Sequence, residues 1–183
     1  MSQKEKKNKR SYLRDFEEVS DGSYVYTGKT WHAEPCLRRR LLIKLWLLQS
    51  LMLVAAVLPG FVTTAGLLNT FYVIIPYVFW LISVFYLAYT LGNMTFGGNP
   101  LRDYVYVRSV ARLAFLSMLP LGGAVCTALS LLLFLLRGGG GNGAGTCFVC
   151  CAVQILSSLY VRRCRVTEIW SETEIMAKDN KKR

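Results

Sequence analysis

Four long apolar blocks, separated by polar connections, leave this chain few folds to choose from. Leu41 to Thr63 carries Lys44 as its one charge, while Phe71 to Gly92, Leu113 to Leu136 and Ala144 to Val161 carry none. At about 1.5 Å of rise per residue, a helix over each block is on the scale of a hydrocarbon layer of about 30 Å, the last block being the shortest. Backbone inside lipid must satisfy its own hydrogen bonds, so such blocks imply an all-α fold of four transmembrane helices. Pro76 fits this reading, because neighbouring groups in a membrane bundle can take up the carbonyl it frees.

Composition makes sense only once the charges are located. The 183 residues combine 53% apolar side chains with a net charge of +11, an odd pairing for a soluble domain. The two classes are segregated. Ten Lys and Arg precede Leu41, three (Arg102, Arg108, Arg112) lie in the 93–112 connection, and seven follow Val161, while connections 64–70 and 137–143 hold Arg137 alone. The positive-inside rule therefore places the head (1–40), the central loop (93–112) and the tail (162–183) in the cytosol, with 64–70 and 137–143 outside. The expected location is a plasma or inner cell membrane. Forty mostly polar residues come before the first block, so no cleavable signal is expected. The cations are distributed as topogenic flanks rather than on one folded face, which argues against nucleic acid as a partner.

The two outer connections are tight, so the helices at 41–63, 71–92, 113–136 and 144–161 should form two antiparallel hairpins in a compact bundle. Helix packing in lipid favours small residues four apart. Ala56 with Gly60, Gly123 with Thr127, Ala124 with Ala128, and Cys147 with Cys151 meet that pattern. The second block is instead bulky: Tyr72, Tyr77, Phe79, Trp80, Phe85, Tyr86 and Tyr89 could fill grooves, sit at the interfaces or make a lipid-facing ridge. Gln49 and Gln154 read as interhelical hydrogen-bond partners. Between Glu34 and Glu168 the one acid is Asp103, in the central loop, so no intramembrane carboxylate serves a pump or proton relay. No His, Asp and Glu set for a metal and no Ser, His and acid constellation gathers on one side, so neither catalysis nor a cofactor is expected.

"GNGAGTCFVCC" sets three cysteines where a glycine-rich loop enters the last block. The bland reading is a helix start made of small residues, with Cys147 and Cys151 extending the face of Gly143 and Ala144. The chemical reading takes Cys147 and Cys150 as a redox pair, since their spacing is that of a thiol motif. Four helices and a cysteine pair near one end of a helix resemble the vitamin K epoxide reductase family, which would imply a thiol oxidoreductase with a quinone groove beside Cys147 and Cys150. That family also uses a shuttle pair of cysteines in an outer loop, and "AGLLNT" has none. The resemblance covers those four residues and the helix count.

"GSYVYTGKT" places five residues between Gly22 and Gly28, one more than a phosphate-cradling loop requires. It reads better as a β-hairpin in which Tyr24, Tyr26 and Thr30 to His32 flank a turn at Gly28-Lys29, with Gly28 at positive φ. Upstream, Leu13, Phe16 and Val19 fall at helical spacing and suggest a short amphipathic helix. In "CLRRRLLIKLW", Arg38, Arg39, Arg40 and Lys44 are expected to contact anionic lipid headgroups, with Trp46 near the interface. In the tail, Val166, Ile169, Trp170, Ile175 and Met176 make an apolar stripe on an expected amphipathic helix, whose docking partner would be the head, a second copy or another protein.

These readings point to a small non-catalytic membrane protein, an accessory, assembly or scaffolding subunit that meets a protein partner or its own copy through a cytoplasmic surface. The alternatives are the thiol oxidoreductase built on Cys147 and Cys150, and a small channel or facilitator for a neutral or lipidic solute.

Overall fold

The computed structural model describes residues 16–18, 24–26, 28–62, 70–139, 143–164 and 166–173. Among them are four helices long and apolar enough to cross a bilayer: α1 (Pro35–Val62), α2 (Phe71–Phe96), α3 (Met118–Leu136) and α4 (Ala144–Arg163). Pro35 opens α1, where its fixed φ suits a first helical position, and the Arg38 N–H donates to Glu34 O at 2.9 Å. Helical turns lead into α3 from Asp103, including one π turn over Tyr106–Val110 closed by the Ala111 N–H on Tyr106 O at 3.1 Å. Gly143, at φ 112°, starts α4 in a conformation that side-chain-bearing residues rarely adopt.

The helices pack in a ring, each resting mainly on two others, and the most extensive seam joins α2 to α3 across the long central connection. Gly123 explains that seam. A Cβ at Gly123 would lie 2.7 Å from Trp80 Cα, so the missing side chain lets the two backbones approach. Trp80 is fully buried against it, and the Thr127 hydroxyl donates to Gly123 O at 2.8 Å. Between α1 and α2, the small pair Ala56 and Gly60 makes room for Tyr77, whose hydroxyl donates to Ala56 O at 3.0 Å. Gln49 Nε2 donates to Val84 O at 2.9 Å and ties the same two helices at mid-length. Gln154 departs from its expected role: its Nε2 reaches Ser158 Oγ at 3.2 Å within α4, not across to another helix. The aromatic set of α2 divides, with Trp80 inside, Tyr77 half-buried, and Phe79, Phe85, Tyr86 and Tyr89 exposed on the outer face.

The all-α expectation holds for the four long helices, while the basic end of the bundle carries strands. Five short strands are present among the described residues: β1 (Phe16–Glu18), β2 (Tyr24–Tyr26), β3 (Thr30–Ala33), β4 (Leu101–Arg102) and β5 (Trp170–Thr173). Phe16 lies in a strand rather than the expected amphipathic helix; Leu13 and Val19 fall outside the described residues. Tyr24 to Tyr26 pairs back onto β1, and Thr30 to Ala33 pairs with β4 and β5, so the expected hairpin across Gly28 does not form. The tail is not a continuing helix either: a 3₁₀ turn over Val166–Ile169 runs into β5. In the tail a distant strand, β3, offers backbone hydrogen bonds that outweigh a weak local helical period, and at Phe16 the neighbouring β2 does the same.

Candidate interaction site at the basic end of the bundle

β3 sits in the middle of a three-stranded antiparallel sheet with β4 on one side and β5 on the other. It thereby joins the segment before α1, the loop between α2 and α3, and the segment after α4 at one end of the bundle. Side chains reinforce each seam. Trp31 Nε1 donates to Asp103 Oδ1 at 2.8 Å, and the Trp31 ring stacks on Tyr106 with centroids 3.9 Å apart and planes 9° from parallel. Asn99 continues the ladder past β4 by imitating a strand: its Nδ2 donates to Ala33 O at 2.9 Å and its Oδ1 accepts from the Ala33 N–H at 3.4 Å. Trp170 is buried with its ring inclined 66° to that of Tyr106 at 6.3 Å between centroids, and the Ser171 hydroxyl donates to His32 O at 3.1 Å.

Arg38 connects this cluster to the helices. Its Nη2 donates to Met94 O at 3.2 Å and Thr95 O at 3.3 Å, carbonyls of the last turn of α2, where the helix dipole favours a cation. The guanidinium also lies 5.8 Å from the centroid of Trp170, while its Nε is buried without a hydrogen-bond partner. Beside it runs an open groove of about 650 Å³, floored by Arg38, Arg39, Leu42, Ile43, Trp46 and Leu47 of α1. Thr95 and Asn99 form the other wall, and Trp46 Nε1 spans to Thr95 Oγ1 at 3.0 Å.

The four cations expected at lipid headgroups separate here. Arg38 and Arg39 line the groove; Arg40 and Lys44 are exposed on α1 without lining it. Arg102, Arg108, Arg112, Arg162 and Arg163 are exposed at the same end of the bundle, and Arg137 lies at the far end, 5.4 Å from the Tyr72 ring centroid. Of the expected docking residues, Trp170 is buried and Ile169 half-buried within the chain itself, while Ile175 and Met176 lie outside the described residues. Cys147, Cys150 and Cys151 are buried free thiols, and Cys126 is exposed on α3. Cys147 packs with Val73, Leu131 and Ala144, and the cavity it borders measures about 10 Å³. Asn99 and Tyr106 carry no signal in the sequence that marks them; Asp103 stands out there only as the lone acid of a basic loop, and Trp31 only as part of the Thr30 to His32 strand.

No protein-family model matches this chain, and neither a curated protein nor a solved structure matches it significantly. Its four apolar helices are compatible with a multi-pass helical membrane protein.

Proposed function

We propose that this is a non-catalytic multi-pass protein of the plasma or inner membrane that works as an accessory, assembly or scaffolding subunit. Its head, central connection and tail face the cytosol and together receive a protein partner. The observation that carries this reading is the sheet drawn from three segments far apart in sequence. Ordering backbone costs about 1–2 kcal/mol per residue, and the outcome here is a fixed, arginine-rich end rather than a closed pocket. The lopsided cations support the cytosolic side.

The redox reading has less behind it. A cavity of about 10 Å³ beside Cys147 is on the scale of one water and far below the hundreds of Å³ that small-molecule sites occupy. A facilitator would pass its solute along the aromatic second helix, and Phe79, Phe85, Tyr86 and Tyr89 of that helix are exposed on its outer face.

Gentle detergent extraction followed by identification of stoichiometric co-purifying protein tests the proposal. A partner should be retained when Cys147→Ser and Cys150→Ser are combined and lost with Trp170→Ala, and a reporter fused after Arg183 should lie in the cytosol. Thiol-dependent quinone reduction abolished by the cysteine replacements, or solute flux in proteoliposomes of the pure protein, would overturn it.

A further inference from the structure

We propose that the groove along the first turns of α1 seats a single anionic phospholipid, its phosphate on Arg38 and Arg39 and one acyl chain along Leu42, Ile43, Trp46 and Leu47. The lining residues recur at positions 38, 39, 42, 43, 46, 47 and 50, a period that draws one continuous stripe down a helix. From Arg38 to Ser50 that stripe runs about 18 Å at ~1.5 Å per residue, close to one leaflet of a ~30 Å hydrocarbon core. The groove volume of about 650 Å³ falls within the usual range for a small-molecule site.

Charge supplies the choice of headgroup. Arg38 is bonded only to neutral carbonyls and an aromatic face, and no carboxylate among the described side chains pairs with it. A part-buried cation with no carboxylate partner among the described side chains favours an anion nearby, and a phosphate matches guanidinium geometry. Arg39 stands one residue on, exposed at the groove mouth, and the N-terminus of α1 adds favourable potential for an anion. Trp46, its Nε1 held by Thr95 Oγ1, stiffens the wall partway down the acyl stripe. This goes beyond diffuse anchoring by four cations, because it assigns one lipid and two of the four. It needs the helices to be in a membrane but is independent of which side the basic end faces.

The test uses the full chain in non-ionic detergent, titrated with palmitoyl-oleoyl phosphatidylglycerol or phosphatidylcholine and read by native mass spectrometry. One saturable phosphatidylglycerol adduct is expected, with phosphatidylcholine bound about fivefold or more weakly. Arg39→Gln should weaken retention about fivefold, whereas Arg40→Gln, which removes the same charge from outside the groove, should leave it unchanged. Arg39 carries the test because Arg38 also holds the end of α2. Equal retention of the two lipids, or equal loss in the two variants, would overturn the proposal by reducing it to bulk electrostatics. Displacement of the lipid by millimolar inorganic phosphate would overturn it as well, since the chain would then contribute nothing.

Discussion

An alanine methyl at Gly122 would meet no atom within 4 Å, whereas one at Gly123 would lie 2.7 Å from Trp80 Cα. Only the second contact is with backbone that cannot swing aside. Gly123→Ala should therefore destabilise the bundle by about 1–3 kcal/mol, and Gly122→Ala should leave the thermal midpoint of the detergent-solubilised protein unchanged. The two buried glutamines form a similar contrast. Gln49 Nε2 bridges α1 to Val84 O, and Gln49→Leu should cost about 0.6 kcal/mol in a denaturation assay. Both glutamines leave a buried Oε1 unpaired, but Gln154 bonds only within its own helix, so Gln154→Leu should be neutral or stabilising. The small-residue spacings were readable because four-residue periodicity is local. Which of two adjacent glycines faces a neighbour depends on rotation about the helix axis, which only the packed bundle sets.

At the scale of the element, α4 and the tail beyond it behave differently. Cys147, Cys150 and Cys151 continue the small face that starts at Gly143, and all three thiols are buried. A maleimide added to the folded protein should label exposed Cys36 first and reach these three only after denaturation; rapid labelling of Cys147 in the native state would speak for thiol chemistry. The apolar blocks were legible because a span in lipid depends on its own composition. The tail was not. Val166, Ile169 and Trp170 fit a helical stripe, yet the same spacing serves a 3₁₀ turn delivering Trp170 to a strand. What decides between them is β3, whose partner register His32↔Ser171 joins residues 139 positions apart. No window of neighbouring residues contains that pairing.

For the whole molecule, closure of the sheet implies that the segments before α1 and after α4 lie at the same end of the bundle. His32 and Ser171 are exposed partners in adjacent antiparallel strands, a separation that a disulfide can span. His32→Cys combined with Ser171→Cys, with the native cysteines replaced, should cross-link under mild oxidant and shift gel mobility; absence of the cross-link would mean that the tail does not dock. Four apolar helices and the concentration of cations in three of the five polar segments follow from composition alone, since the cost of placing a charge in hydrocarbon is paid residue by residue whatever the neighbours. Tertiary structure decided the rest: that α2 and α3 share the most extensive seam, that one strand each from head, loop and tail makes a sheet beside Trp31, Tyr106 and Trp170, and that Arg38 and Arg39, rather than all four expected cations, open onto a groove. Those outcomes depend on contacts between residues tens of positions apart, where rotation, register and backbone pairing are settled jointly by every element that packs there.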